Sequence, residues 1–311
     1  KTSASNVAVA VVRHAERADA SSAFDHWCTS EDAATFPWDP PITQKGFEQT
    51  QSLALDLEQK HPDFKVIISS PFLRCLQTAM VLAEHFDADV LVDNELGEAM
   101  TTEVFESEPP LPPRPWTKVI SALKLNFNTN RLKAGRSMGK TPPWPESPQR
   151  ARLRYANRFL DYLRRARHTK KSCLLVTHGH MVQVCATILP ATASRKIVRV
   201  DYAAAVLAVC HRAAAVQVQN LPDKLEHKSL SFHLKPDRRP SEIETDRQSQ
   251  LQEGNELMHE ARLKYWDVWL QNVHTVSSSA PQHVPQVLQQ LQFQESLGRS
   301  WQDVVRLLGV L

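Results

Sequence analysis

A histidine with arginine close by on both sides stands near the start of the chain, in residues 12–17 with the sequence V-R-H-A-E-R. A neutral imidazole can attack phosphorus and carry the phosphoryl group as a covalent intermediate. Arginine neutralises phosphate and binds it through fork-shaped hydrogen bonds. We therefore expect phosphoryl transfer onto His14, with Arg13 and Arg17 binding the phosphate. For this motif alone, a surface cluster of arginine and histidine is an equally good interpretation.

Two more basic side chains follow predicted strands further along the chain. Arg74 ends the sequence S-S-P-F-L-R, in the first turn of a predicted helix, where free N–H groups and the helix dipole already favour anions. His178 is the first histidine of V-T-H-G-H and could donate a hydrogen bond to a phosphate oxygen. His180 is its rival, but Gly179 leaves room beside His178 and so favours the earlier residue. A solvated helix arginine and a structural histidine are the common alternatives.

Expelling an alkoxide or phenoxide from a phosphate ester needs a proton donor. Glu98 is our candidate, because a carboxyl group near an anionic phosphate has its pKa raised. It could protonate the leaving group and then activate water against the phosphohistidine. Glu95 is the rival candidate and Glu103 a weaker one, and an exposed glutamate is the alternative interpretation of each.

Other phosphatase and nucleotide chemistries lack their motifs here. Cysteine-dependent tyrosine phosphatases need C-x5-R, and none of the five cysteines has an arginine six positions on. No G-x-x-x-x-G-K-[ST] loop occurs. Neither H-E-x-x-H nor a carboxylate-rich spacing supports metal ligation by the histidines, and the arginines supply the positive charge instead. We therefore predict a reaction without a metal ion or cofactor.

Short apolar runs bounded by turn residues predict strands, and the segments between them predict helices. The strands are expected at residues 7–12, 65–69, 90–92, 173–177, 205–210 and 214–219. Their alternation with helices predicts an α/β fold of three layers, with helices on both faces of a mainly parallel sheet. Ligands bind beyond the carboxyl ends of the strands in such sheets. His14, Ser70 and His178 lie at such ends, so three distant segments deliver polar side chains to one edge.

The starts of several helices carry recognisable capping residues. Thr43 caps the first long helix. Ser70 as N-cap and Pro71 as first helical residue predict a helix to about residue 86. The remaining predictions are helices at 116–127, 147–168 and 181–189, and a loop at 18–41.

Taken in order, these motifs resemble the histidine phosphatase superfamily, also called phosphoglycerate-mutase-like, over residues 7–219. The matching residues are R-H at 13–14, I-T-Q-K-G at 42–46, S-S-P at 69–71 with Arg74, Q-T-A at 77–79, and T-H-G at 177–179. His-Gly at 178–179 resembles the mutase-like branch 1. The residues around His14 and Arg74 resemble the phosphatase domains of the suppressor-of-T-cell-receptor-signalling proteins, and insect ecdysteroid-phosphate phosphatases are similar there.

The resemblance implies a phosphoglycerate-mutase-like fold with a phosphorylated histidine. It implies that His14 is the nucleophile, that Glu98 is the proton donor, and that the phosphate pocket consists of Arg13, Arg17, Arg74 and His178. Ala15 replaces the usual glycine, and its small methyl group should be tolerated.

We predict a catalytic domain over residues 1–220. Its proline-rich segment 101–146 is interpreted as an insertion that could cover the site as a lid. Residues 221–311 are predicted to form a linker and an amphipathic helical extension, with helical spacing at 253–273 and 284–311. These helices could pack on the catalytic domain, form a homodimer or bind a partner protein.

The composition narrows the classes of partner. The chain has 311 residues, of which 42% are hydrophobic, enough for a large core. Its net charge of +3, without a Lys/Arg block on a regular face, argues against nucleic-acid binding. Neither a run of membrane length nor a signal-peptide pattern is seen, which argues against a membrane partner. The odd number of cysteines without C-x-x-C favours reduced thiols and a cytoplasmic location.

Three functions fit these observations. The first is a phosphomonoester phosphatase acting on a phosphorylated small molecule or phosphoprotein, with phosphotyrosine or another bulky ester as substrate. The second is a phosphoglycerate-type mutase, which shares the chemistry but must keep water from the phosphoenzyme. The third is a scaffold or binding protein that uses the fold and its helical tail.

Overall fold

The computed structural model describes residues 7–21, 23–105, 107–110, 112–133, 137–188, 199–210, 216–221 and 225–226. The helices predicted at 253–273 and 284–311 lie outside the described residues, so the helical extension and its partner stay predictions. Within the predicted linker, residues 225–226 form a short strand.

One mixed sheet forms the centre of the domain. Its strands in chain order are β1 Val7–Arg13, β2 Phe64–Ser69, β3 Asp89–Val92, β4 Ser172–Thr177, β6 Ala205–Cys210 and β7 Val216–Leu221, while β5 Arg199–Val200 and β8 Leu225–Glu226 pair separately. The order across the sheet is β3-β2-β4-β1-β6-β7. The first four of these strands run parallel, and β6 and β7 add antiparallel pairs. The prediction of a mainly parallel sheet is confirmed.

Helices cover both faces of this sheet. They are α1 Phe24–Cys28, α2 Glu31–Thr35, α3 Gln44–Lys60, α4 Leu73–Phe86, α5 Trp116–Lys124, α6 Pro148–Thr169 and α7 Gly179–Ile188. Apolar side chains of α3, α4 and α5 share one core with the sheet, and those of α6 and α7 share a second core on its other face. Because both faces are covered, the parallel strands are near-continuous apolar runs. The three-layer prediction is confirmed.

The start of α4 differs from the prediction. Ser70 is not its N-cap and Pro71 is not its first residue, because α4 begins at Leu73 after Phe72, which makes no side-chain cap. The buried carboxylate of Asp39 accepts the Leu73 N–H at 2.8 Å instead. Because Asp39 binds this free N–H, the Ser70 hydroxyl is not needed as a helix cap and can contact the site described below. The predicted loop at 18–41 likewise contains α1 and α2, two short helices.

The described part of the 101–146 segment packs along β3, the edge strand. Met138 donates its N–H to Val92 O at 2.8 Å and accepts from Asn94 N–H at 2.9 Å. Glu146 donates its N–H to Met100 O at 2.7 Å and so closes the segment against the loop after β3. This covers a strand edge that would otherwise present unpaired backbone groups. In the described part of the chain, none of the helices has the length and apolar character needed to cross a bilayer.

Candidate active site

Adjacent strand ends bring the first site residues together. Arg13, the last residue of β1, pairs with Thr177, the last residue of β4. His14 donates its N–H to Thr177 O at 2.8 Å, and Ser70 donates its N–H to Val176 O at 2.9 Å. The carboxyl ends of β1, β2 and β4 therefore meet at one edge, which is where the sequence placed them.

The ring of His14 is held in one tautomer. Its Nδ1 lies 2.9 Å from the Ala15 carbonyl oxygen. A carbonyl can only accept, so Nδ1 carries the proton and Nε2 keeps its lone pair. Burial, followed by the nearby charges of Arg74 and Arg13, lowers the pKa of His14 well below its usual value. The imidazole is therefore neutral, as a nucleophile must be.

Arg13 contacts the Tyr202 ring and the backbone of Val200. Its guanidinium carbon stands 4.1 Å from the centre of the Tyr202 ring, and its Nη1 donates to Val200 O. The Tyr202 ring in turn lies 5.7 Å from the His14 ring. Burial lowers the pKa of Arg13, a direction that Arg17 and Arg74 reinforce as like charges, while Tyr202 and Glu98 oppose it.

Arg17 is partly exposed, in contrast to the buried Arg74. Its side chain is 33% exposed and forms an ion pair with Asp19, with Nε 2.7 Å from Oδ1. The Nε–H does not point at this oxygen, so the pair is not a hydrogen bond. Its charge contributes to the lowered pKa of His178, so it acts electrostatically on the site. The structure therefore places Arg17 at the rim.

Arg74 is a fully buried cation at the centre of the site. Its Nη2 lies 3.5 Å from Glu98 Oε2 and 3.4 Å from His178 Nδ1. Its Nη1 donates to Trp38 O at 3.3 Å, and the guanidinium stacks 4.4 Å from the Phe72 ring centre. A buried charge is tolerated only when it is paired and hydrogen-bonded. The carboxylate and the carbonyl meet that requirement.

His178 and Glu98 form a buried pair. Nδ1 of His178 lies 3.0 Å from Glu98 Oε2, and its Nε2 lies 2.9 Å from Ser70 Oγ. Burial lowers the pKa of His178 to about 4, although Glu98 opposes the shift. The ring is therefore neutral, with Nδ1 donating to the carboxylate and Nε2 accepting from the serine hydroxyl. Sequence reasoning missed this use of Ser70.

The sequence predicts a raised pKa for Glu98 beside a bound phosphate, whereas the protein groups around it act, on balance, in the opposite direction. Burial raises that pKa, but the attraction and hydrogen bonds of His178 and His180 outweigh it, and the pKa lies well below the usual value. His180, whose side chain is 56% exposed, has its Nδ1 at 3.6 Å from Glu98 Oε1. The hydrogen bond to Glu98 raises the pKa of His180. Glu98 is thus ionised between a buried and an exposed imidazole.

The structure separates Glu98 from its two rivals. Glu95 accepts the Lys140 N–H at 3.1 Å and lies 3.6 Å from Arg158, away from the histidines. Glu103 is exposed and acts on His180 only through its charge. Of these three carboxylates, Glu98 alone contacts Arg74 and His178.

The amino-acid sequence of the first part of this domain matches a known family. Residues 9–112 match the model of the histidine phosphatase superfamily, branch 1. The three-layer α/β fold predicted with this family is confirmed by the sheet and its helices, whereas the phosphoglycerate-mutase-like assignment and the closer resemblance to the suppressor-of-T-cell-receptor-signalling domains stay predictions. A search of curated protein sequences gives no match.

Several solved structures of phosphatases and a mutase resemble the chain. The ecdysone phosphate phosphatase of Bombix mori, in complex with tungstate, is 15% identical, covers 76% of this chain and 99% of its own, and has a TM-score of 0.45. A putative alpha-ribazole-5'-P phosphatase of Escherichia coli is 19% identical over 70% and 98%, with a TM-score of 0.42. The phosphoglycerate mutase of Bacillus anthracis is 16% identical over 70% and 93%, with a TM-score of 0.42. Likenesses at this level do not identify a substrate.

A second group of residues holds the Glu98 backbone, and sequence reasoning missed it. Arg154 on α6 donates to the carbonyls of Glu95 at 2.6 Å, Gly97 at 3.1 Å and Glu98 at 3.2 Å. It also binds both oxygens of Glu146, at 2.8 and 2.7 Å. One guanidinium therefore fixes the loop that carries the candidate acid.

A third group holds the start of α4 and Arg74. Asp39 is fully buried, accepts from Arg114 Nε at 3.1 Å and lies 3.8 Å from Arg74 Nη1. Arg114 also binds both oxygens of Asp32, at 2.6 and 2.9 Å. The 101–146 segment thus supplies a cation that ties α2 to the helix bearing Arg74.

Proposed function

We propose that the protein hydrolyses phosphate monoesters through a phosphohistidine formed on His14. The observation that carries this proposal is the 2.9 Å contact of His14 Nδ1 with the Ala15 carbonyl, which leaves Nε2 as the unprotonated nitrogen. The charges of Arg13 and Arg74 act on the same ring. A neutral nucleophile beside guanidiniums suits attack on a phosphate dianion, because the guanidiniums offset its charge.

In the first step, the lone pair of His14 Nε2 forms a bond to phosphorus while the bond from phosphorus to the ester oxygen breaks. Arg13, Arg17 and Arg74 offset the charge on the phosphoryl oxygens, so we propose that the reaction needs no metal ion or cofactor.

Glu98 supplies the proton for the leaving oxygen. Since its carboxylate is ionised in the structure, it must first take up a proton, and a phosphate dianion beside it favours that uptake. The exposed ring of His180, 3.6 Å from Glu98 Oε1, connects the carboxylate to solvent. Once Glu98 is protonated, it is a poorer acceptor, which frees the Nδ1–H of His178 for a phosphoryl oxygen.

In the second step, water attacks the phosphohistidine. The carboxylate of Glu98 accepts a proton from the water as its oxygen bonds to phosphorus, and the bond between phosphorus and Nε2 breaks. The lone pair returns to His14, and inorganic phosphate leaves. We propose phosphotyrosine or another bulky ester as the substrate, because the structure has an apolar cavity next to Glu98.

The test is hydrolysis of p-nitrophenyl phosphate in the presence of EDTA by the wild-type protein and by His14→Ala. We expect hydrolysis by the wild type, none by the variant, and an acid-labile phosphoenzyme that can be trapped only in the wild type. His85→Gln is the matched control, since its ring contacts Glu58 at the surface and should leave the rate unchanged. Equal rates for wild type and His14→Ala would end the proposal.

The same preparation distinguishes hydrolysis from mutase activity. Incubation with 3-phosphoglycerate measures both phosphate release and formation of the 2-isomer. We expect the released phosphate to exceed the isomer formed, and the opposite result would favour a mutase.

A further inference from the structure

A cavity of about 220 Å³ lies between the start of α4, the loop after β3 and the 101–146 segment. Six of the residues that line it are apolar: Pro71, Phe72, Met100, Pro112, Trp116 and Pro142. Glu98 also lines it and is the only ionisable residue among the described ones that do so. The cavity is therefore a mainly apolar space with one carboxyl group.

Of the catalytic residues, Glu98 alone lines the cavity. His14, Arg74 and His178 do not line the cavity, whereas Glu98 does and also contacts Arg74 and His178. A proton donor must lie within hydrogen-bond reach of the leaving oxygen. In-line displacement places that oxygen on the side of phosphorus opposite to His14 Nε2. The organic group attached to this oxygen therefore extends past Glu98, away from His14. The cavity lies on that side of Glu98, outside the cluster of catalytic residues.

We propose that the cavity binds the organic part of the ester, and that this part is an uncharged, apolar alcohol or phenol with a flat ring. The inference rests on the proposed function, because it takes Glu98 as the proton donor. Trp116, Met100 and Phe72 are then the residues that determine specificity. A carboxylate or a second phosphate on the leaving group would lie beside Glu98 against apolar walls, where an unpaired charge is costly.

The walls of the cavity are held before any ligand binds. Met100 accepts the Glu146 N–H at 2.7 Å and donates its own N–H to Glu146 Oε2 at 3.3 Å. Phe72 stacks on Phe105, with ring centres 6.4 Å apart. A preformed pocket avoids the entropy cost of ordering its walls, so apolar contacts contribute to ester binding in full.

The first experiment compares 1-naphthyl phosphate with 3-phosphoglycerate as hydrolysis substrates of the wild type and of Trp116→Ala. We expect the wild type to prefer the naphthyl ester, and Trp116→Ala to lower kcat/KM for that ester about tenfold through loss of one apolar contact. The inhibition constant of vanadate, which probes the phosphate pocket alone, should not change. Leu125→Ala, at a position 81% exposed, is the control and should match the wild type.

A second variant fills the cavity instead of emptying it. Ser137 lines the cavity from an exposed position, so Ser137→Phe should fold even if Trp116→Ala does not. We expect it to lower kcat/KM for 1-naphthyl phosphate by a similar factor at unchanged vanadate inhibition. A phosphotyrosyl peptide hydrolysed faster than the naphthyl ester would identify a protein side chain as the phenol, and the reverse order would identify a small molecule.

Three results would overturn the inference. The first is a wild-type preference for 3-phosphoglycerate over 1-naphthyl phosphate. The second is an unchanged kcat/KM for the naphthyl ester in a folded cavity variant, and the third is an equal loss of kcat/KM on both substrates. Each leaves the phosphohistidine test with His14→Ala intact, so failure of the cavity and failure of the proposed function are distinguishable.

Discussion

Nδ1 of His178 lies 3.0 Å from Oε2 of Glu98, and both side chains are buried. The contact joins the residue after β4 to the loop after β3, across β2. It has two consequences for the chemistry. It holds the proton of the neutral His178 ring on Nδ1, and it favours the ionised form of Glu98 until an anionic phosphate binds beside it. The acid of the proposed reaction is therefore created by substrate binding.

The first prediction concerns Glu98→Gln, which keeps the shape of the side chain but cannot transfer a proton. Loss of general acid catalysis should lower kcat for alkyl phosphates by about 10²–10⁴. The loss should be much smaller for p-nitrophenyl phosphate, because its leaving group needs little protonation. Steady-state kinetics over a series of esters with leaving groups of different pKa measures this difference.

Glu95→Gln and Glu103→Gln are the matched controls. Neither carboxylate contacts Arg74 or His178. Both variants should keep the wild-type dependence on the leaving group, and a Glu98→Gln enzyme with that dependence would remove Glu98 from the acid role.

The second prediction concerns the protonation of His14. Since burial and the neighbouring cations lower its pKa well below the ordinary value of 6.5, the ring should stay neutral at about pH 6, where an ordinary imidazole is mostly protonated. Nitrogen-15 spectra of histidine-labelled protein should show protonated Nδ1 and unprotonated Nε2, with His14→Asn assigning the signals. A ring that titrates near pH 6.5, or that carries its proton on Nε2, would contradict the proposed nucleophile.

The third prediction concerns His180→Gln. The acid step needs protonated Glu98, so kcat falls as pH rises through the pKa of Glu98 in the complex. His180 lowers that pKa by its hydrogen bond and its charge. Removing His180 should therefore raise the pKa and move the alkaline limb of the kcat profile to higher pH. An unchanged limb, or one that moves to lower pH, would show that His180 does not act on Glu98.

The placement of His14, Ser70 and His178 at one edge could be predicted because it follows from local signals. Each follows an apolar run that ends abruptly, and parallel strands place such ends together. The register that pairs Arg13 with Thr177 then brings the two histidine rings to 5.3 Å from each other. Local pattern and sheet topology were sufficient for this part of the site.

The residues that hold these site residues in place could not be predicted, because their contacts join distant parts of the chain. Arg114 reaches Asp32 across 82 positions, and Arg154 reaches the Glu98 carbonyl across 56. Arginine on a helix or in a loop is usually solvated, so nothing local marks these two. The same cause explains why the prediction of Ser70 as the N-cap of α4 is wrong, since Asp39 accepts the first N–H of that helix from 34 positions away. The lowered pKa of Glu98 depends first on His178 and then on His180, and sequence reasoning treated His180 only as a rival of His178.

The fourth prediction concerns Arg114→Gln and the stability of the fold. Arg114 is 3% exposed and forms ion pairs with Asp32 and with Asp39, which is fully buried. Removing one partner of a buried pair leaves an uncompensated charge, so the free energy of unfolding should fall by about 3–5 kcal/mol. Arg131→Gln is the control, because Arg131 pairs with Asp87 at the surface and its loss should cost less than about 1 kcal/mol. Urea denaturation of both variants measures the contrast, and equal losses would show that burial of the Arg114 pair does not matter.

The fifth prediction concerns Arg154→Gln and the position of Glu98. Arg154 touches neither His14 nor the expected phosphate, but it binds three carbonyls of the 95–98 loop and both oxygens of Glu146. Displacing a catalytic group by about 1 Å can cost about 10²-fold in rate, so kcat for alkyl phosphates should fall by a factor of that order. Because Arg154 acts through the acid, p-nitrophenyl phosphate should be affected much less.

Two comparisons separate this positioning role from a general loss of structure. The vanadate inhibition constant of Arg154→Gln should stay near the wild-type value, because His14 and Arg74 are held by other contacts. Arg164→Gln, on the same helix but with a side chain 43% exposed, should behave as wild type in every assay. If Arg154→Gln lowers the rate for alkyl and p-nitrophenyl esters by the same factor, the residue supports the fold as a whole and does not position Glu98.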